Sequence, residues 1–138
     1  MTKEEVNKIL ENHRHWFNAD VEGWEGMRAT NLQNADLRDV DLSNAFLVEA
    51  DFSGANLESA NLSGADLTEA NLSNTILTKA NFTNADLTWA DLSGADLTET
   101  NFTNADLEDS NLQGAIVKDT NFYKADLSET ILEDAEEV

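Results

Sequence analysis

Residues 29–73 read ATNLQ NADLR DVDLS NAFLV EADFS GANLE SANLS GADLT EANLS, a five-residue pattern that continues to about residue 131. A large apolar residue stands at every fifth position from 32 to 132, and all 21 of these positions hold Leu, Phe or Val. A small residue, mostly Ala, stands two positions earlier, usually with Asp or Asn between the two. Because a unit with one inward Leu and one inward Ala cannot close a core alone, the pattern predicts a stacked solenoid.

The pattern resembles the A-(D/N)-L-x-x pattern of the pentapeptide-repeat family, over about 100 of the 138 residues. The resemblance implies an all-β solenoid, a right-handed quadrilateral β-helix in which four pentapeptides form one 20-residue coil. The 21 units would then give about five coils, in a rod roughly 25 Å long at a spacing of about 4.8 Å between coils. The segment before the repeats resembles the N-terminal helical caps of such arrays.

The first 29 residues are expected to form this helical cap and a bridge into the repeats, which occupy residues 30–138 and end in a short acidic tail. A capping-box pattern at Thr2 and Glu5 predicts a helix over residues 2–17. A cap would cover the open end of the solenoid, and a partner-binding helix is the alternative. The residues expected to face the rod are Val6, Ile9, Leu10, His13, Trp16, Phe17 and Trp24.

The period divides the repeats into four faces, named here by the inward residue that begins each: the first face from Leu32, the second from Leu37, the third from Leu42 and the fourth from Leu47. Phe82, Phe102 and Phe122 follow one another on the third face and predict an aromatic ladder. Gly or Asn at corner positions ending in 4 predicts type II-like turns, whereas positions ending in 9 hold neither and are expected to keep a negative φ. Lys124 interrupts the first group and predicts a different turn or a looser last coil.

Charge is the extreme feature of the composition, with 28 acidic against 8 basic residues and a net charge of −20. Such a chain repels nucleic acids and anionic membranes and attracts basic protein surfaces. The sequence has no Cys, no apolar core of a signal peptide and no run long enough to span a membrane. The expected compartment is therefore the cytoplasm, and no direct nucleic-acid or membrane binding is expected.

The fourth face is expected to carry a ladder of acidic side chains, and the neighbouring third face a ladder of asparagine side chains. The resemblance implies one function for the acidic ladder, since some family members act on DNA gyrase and topoisomerase IV by imitating the DNA backbone. The alternatives are a structural role for Asp and Asn with acidity for solubility, and a calcium site. Against mimicry, members that protect gyrase typically carry loops, which the repeats here lack. The candidate acidic partner face comprises Glu49, Asp66, Glu69, Asp86, Asp106, Asp109, Asp126 and Glu129.

Ile76, Trp89 and Ile116 stand at outward positions and are candidate apolar contacts for a partner. Catalysis is not expected, because no carboxylate pair stands out and His13 and His15 are wrongly spaced for one helical face. The sequence thus predicts a non-enzymatic acidic interaction scaffold without cofactor or metal, with a DNA-mimicking modulator of DNA gyrase or topoisomerase IV as the alternative. The expected partner is a protein with a basic surface, for which a type II topoisomerase is one candidate. The family resemblance also leaves a homodimer open.

Overall fold

The computed structural model describes residues 3–17 and 30–136. The first range is one α-helix, α1 (Lys3–Phe17), which agrees with the predicted helix to within one residue. In the second range the backbone is joined by isolated parallel bridges, from Asn31–Asp51 to Ile116–Glu136, each linking a residue to the one 20 positions later. The bridges use only positions ending in 1 or 6, so four columns of pairs run along the stack, one on each predicted face. This spacing matches a coil of four pentapeptides.

The pairing stays limited to single residues because every pentapeptide contains a tight turn. The backbone N–H three residues after each inward apolar residue donates to its carbonyl, as from Ala35 to Leu32 at 3.1 Å. The third residue of all 21 turns has a φ between 53° and 68°. The negative φ predicted for positions ending in 9 is therefore wrong, since Glu69 has a φ of 58°. Lys124, with a φ of 57°, adopts the same turn, so of the two alternatives predicted there the different turn is excluded.

The physical reason for this error lies in contacts between neighbouring coils. A Cβ added at Gly64 or Gly94 would lie 2.6 Å from the side-chain oxygen of Asn44 or Asn74 on the preceding coil. Glycine at these corners therefore leaves room for an asparagine, and is not a sign of a separate turn type. All corners adopt the left-handed conformation, and the same closing hydrogen bond recurs every five residues.

The core of the rod is made of the inward Leu, Phe and Ala residues, most of which are fully buried. The predicted aromatic ladder is confirmed: ring centroids are 5.0 Å apart for Phe82 and Phe102 and 5.4 Å apart for Phe102 and Phe122, with interplanar angles of 19° and 4°. Burial decreases in the last described coil, where Leu132 is 44% exposed.

Helix α1 contributes to the same core. Val6 is buried within the cluster that contains the repeat leucines, and Ile9 and Leu10 pack against it half-buried. Side chains from α1 and from residues 41–46 line one cleft, so the helix lies beside the first coil. Thr2 and Trp24, and the side chains of His13, His15, Trp16 and Phe17, lie outside the described residues.

Candidate interaction surface

The outward Asp and Asn residues share one structural role. At the 22 bridging positions from 31 to 136, all 17 that hold Asp or Asn use Oδ1 to accept the backbone N–H two residues later. Asp66 accepts from Thr68 at 3.1 Å and Asn61 accepts from Ser63 at 3.2 Å. The bond needs a side-chain oxygen and not a charge, because carboxylate and amide make it equally well.

The third face uses its asparagines to connect the coils. The Asn81 amide donates to Asn61 Oδ1 at 3.3 Å, and the Asn121 amide donates to Asn101 Oδ1 at 3.2 Å. Asp41 and Lys124 are the only charged residues at its outward positions, and each lies at one end of the face. This face is therefore the predicted amide ladder, and its polar groups mainly satisfy one another.

The fourth face concentrates negative charge, and we call its nine carboxylate residues the acidic face. Four of them occupy one bridging column on successive coils, about 4.8 Å apart. These four use Oδ1 for the backbone bond, while Oδ2 has no hydrogen-bond partner within the part of the chain that the structure describes. No Lys or Arg occupies an outward position of this face. The acidic face comprises Glu49, Asp66, Glu69, Asp86, Asp106, Glu108, Asp109, Asp126 and Glu129.

The charge of the acidic face persists to low pH at Asp126. The Ser128 hydroxyl donates to the Asp126 carboxylate at 2.6 Å and the Ser128 N–H at 2.9 Å, and these bonds lower the pKa of Asp126 below its ordinary value.

The second face carries mixed charge, because it holds three of the four basic residues of the repeats. There Arg38 pairs with Asp36 at 2.7 Å and lowers the pKa of that carboxyl to about 2.

Trp89 lies in the corner column of the acidic face and is 58% exposed. Its indole N–H donates to Asp109 Oδ2, 2.9 Å away on the next coil. Ile76, 43% exposed, and half-buried Ile116 lie instead on the second face, with Asp96 between them in the same bridging column. The structure thus joins Trp89 to the acidic residues and does not bring the three predicted apolar contacts together.

Sequence reasoning left some surface features out of the candidate sites. Glu108 belongs to the acidic face, and its position next to Asp109 in the sequence could have identified it as a member. Tyr123 is 63% exposed, with the Lys124 ammonium 5.2 Å from its ring centroid. Tyr123 stands directly after an inward Phe, at an outward position that the five-residue pattern identifies.

Among the side chains that the structure describes, those of residues 4–11 and 30–136, no group of Asp or Glu is placed to hold a metal ion. No helix within residues 3–17 and 30–136 is long and apolar enough to cross a membrane.

Comparison with known proteins places the five-residue pattern in a family. The model for pentapeptide repeats matches eight copies over residues 30–68, 65–104 and 100–136. No curated protein matches the chain. The pentapeptide repeat protein Rfr23 from the cyanobacterium Cyanothece 51142 is similar in structure, with 28% identity, a TM-score of 0.73, and coverage of 75% of this chain and 84% of that chain.

Two other solved structures are similar over most of the chain but superpose less well. A pentapeptide repeat protein from the Arabidopsis thaliana thylakoid lumen is 29% identical, covers 87% of this chain and 77% of its own, and has a TM-score of 0.42. QnrB1, a plasmid-mediated fluoroquinolone resistance protein, is 21% identical and has a TM-score of 0.34. The match covers 79% of this chain and 69% of QnrB1. Neither score is high enough to bear on compartment or partner. The family match and the 20-residue pairing agree with each other, and the chain belongs to the pentapeptide repeat family.

Proposed function

We propose that this protein is a non-enzymatic scaffold that binds a protein partner with a basic surface through the acidic face. The observation that carries the proposal is the separation of charge around the rod. Nine carboxylates and no basic residue lie on the fourth face, whereas the neighbouring third face has one acidic and one basic residue. Solubility alone does not require this separation, because acidic residues spread over all four faces would serve it equally well.

The backbone bonds of the aspartates support this reading. Asn makes the same bond on the third face, so the fold does not require a carboxylate at positions 66, 86, 106 and 126. Each carboxylate also keeps Oδ2 available at the surface, where a Lys or Arg of a partner can reach it. The regular columns set no single carboxylate pair apart as an acid–base couple, which favours binding over catalysis.

The test replaces Asp66, Asp86 and Asp106 together by Asn, which removes three charges and keeps the backbone bonds. Binding of a fluorescein-labelled nona-arginine peptide, measured by fluorescence anisotropy at low salt, should weaken about tenfold. The matched control replaces Asp51, Asp91 and Asp96 by Asn, which removes the same charge from the first and second faces. Equal weakening by both triple variants would contradict a specific role for the acidic face.

A second candidate function is imitation of the DNA backbone toward DNA gyrase or topoisomerase IV. The nine carboxylates span five coil levels, roughly one charge per 2–3 Å, against about one per 1.7 Å of duplex DNA. This density favours mimicry, although a rod roughly 25 Å long covers only about seven base pairs. Here the purified protein should inhibit gyrase supercoiling, less at high salt and less after the Asp66, Asp86 and Asp106 substitutions. Absence of inhibition at either salt concentration would remove this candidate and leave the scaffold proposal.

A further inference from the structure

The acidic face has one exposed aromatic residue at its margin. The corner column of this face reads Glu49, Glu69, Trp89, Asp109 and Glu129 on successive coils. Four of its five corners are therefore carboxylates, and Trp89 occupies the middle one. With 58% of its surface exposed, Trp89 is not part of the core.

The indole of Trp89 has a defined position on this surface. Its N–H donates to Asp109 Oδ2 at 2.9 Å, so the side chain extends along the corner toward the next coil. The polar atom of the ring is thereby satisfied within the protein. What the ring still offers a partner is its apolar, electron-rich π surface, and the surrounding charge determines which partner group fits that surface.

We infer that Trp89 is the recognition element for an arginine side chain of the basic partner, and that the guanidinium lies against the indole while neighbouring arginines pair with the carboxylates. This inference rests on the proposed function and adds the chemistry that the partner presents. Arginine fits better than lysine because its guanidinium is planar, stacks on aromatic rings and is less strongly hydrated than an ammonium group. The occupant of the surface is therefore an arginine-rich protein segment.

The experiment compares labelled nona-arginine and nona-lysine peptides, which carry equal charge, against the wild-type protein and Trp89→Leu. The wild type should prefer the arginine peptide about fivefold, and Trp89→Leu should weaken arginine binding by about that factor and abolish the preference. Trp89→Phe keeps an aromatic face and should retain part of the preference. Tyr123→Leu, at an exposed aromatic residue outside the acidic face, is the matched control and should leave both affinities unchanged.

The outcomes separate this inference from the proposal on which it rests. Weaker binding by the Asp66, Asp86 and Asp106 triple variant with an unchanged arginine preference in Trp89→Leu would overturn the inference and leave the proposed function. Failure of the wild type to bind either peptide would overturn both. Circular dichroism of each variant verifies the fold. If Trp89→Leu and Trp89→Phe are equally stable, a difference in their peptide binding is due to the aromatic ring.

Discussion

At the residue scale, single side chains show how the repeat tolerates polar groups inside the rod. Thr100 stands where most repeats have Ala, is fully buried, and donates its hydroxyl to the Leu77 carbonyl at 2.7 Å. Thr130 makes the equivalent bond to Leu107 at 2.8 Å. Ser110 is also fully buried, but its hydroxyl has no hydrogen-bond partner among the described residues.

This difference predicts opposite effects of two conservative substitutions. Ser110→Ala removes a buried hydroxyl that lacks a partner and should stabilise the protein by about 1 kcal/mol. Thr100→Val keeps the shape of the side chain but removes a satisfied bond, and should cost about 1 kcal/mol. Urea unfolding monitored by circular dichroism measures both, and a lower midpoint for Ser110→Ala than for wild type would show that Ser110 has a stabilising role.

The sequence already identified which residues point inward and outward, because a strict period of five assigns every position. It did not identify the partners of the outward groups. The bond from Trp89 to Asp109 depends on a side-chain rotamer and a contact across 20 residues, and neither is contained in the residue pattern. For the same reason, the sequence does not distinguish Thr100, whose hydroxyl is hydrogen-bonded, from Ser110, whose hydroxyl has no partner among the described residues.

At the scale of elements, the corner turns show how a sequence preference can mislead. The Gly and Asn preference at positions ending in 4 suggested two turn types, but all corners share a positive φ. A left-handed conformation costs a residue other than Gly roughly 1–2 kcal/mol, so the preference was a reasonable guide for an isolated turn. In a stack, bridges and closing hydrogen bonds fix the corner whatever the residue, and neighbouring side chains such as Asn44 under Gly64 determine where Gly appears.

The other element, α1, is expected to act as a cap on the first coil. Val6→Asp would place a charge at a buried contact and should detach α1 locally, because a solenoid is held together mainly by contacts between neighbours. Hydrogen exchange should then increase in α1 and in residues 31–50, and stay unchanged in residues 71–112. Asn7→Asp adds the same charge at an exposed neighbour and is the control. Wild-type protection in Val6→Asp would show that α1 does not depend on this contact.

At the scale of the whole molecule, the protein is an acidic rod with unequal sides. Members of its family are right-handed quadrilateral β-helices, and the parallel columns of bridges agree with that architecture. The third face satisfies its polar groups internally, the second carries mixed charge, and the fourth carries nine carboxylates. The period assigned residues to faces correctly from the sequence, whereas the number of coils and the homodimer stay predictions.

An NMR titration of the ¹⁵N-labelled protein with nona-arginine would locate the surface of the rod that binds a basic partner. On the acidic face, the backbone N–H groups of Thr68, Thr88 and Ser128 donate to aspartate carboxylates, so a cation bound there should shift these amide signals directly. The corresponding amides of Ser63, Thr83 and Thr103 donate to asparagines on the third face and are the internal reference. If the acidic face binds the peptide, the shifts should be concentrated on the first group. Equal shifts in both groups, or larger shifts on the third face, would contradict binding through the acidic face.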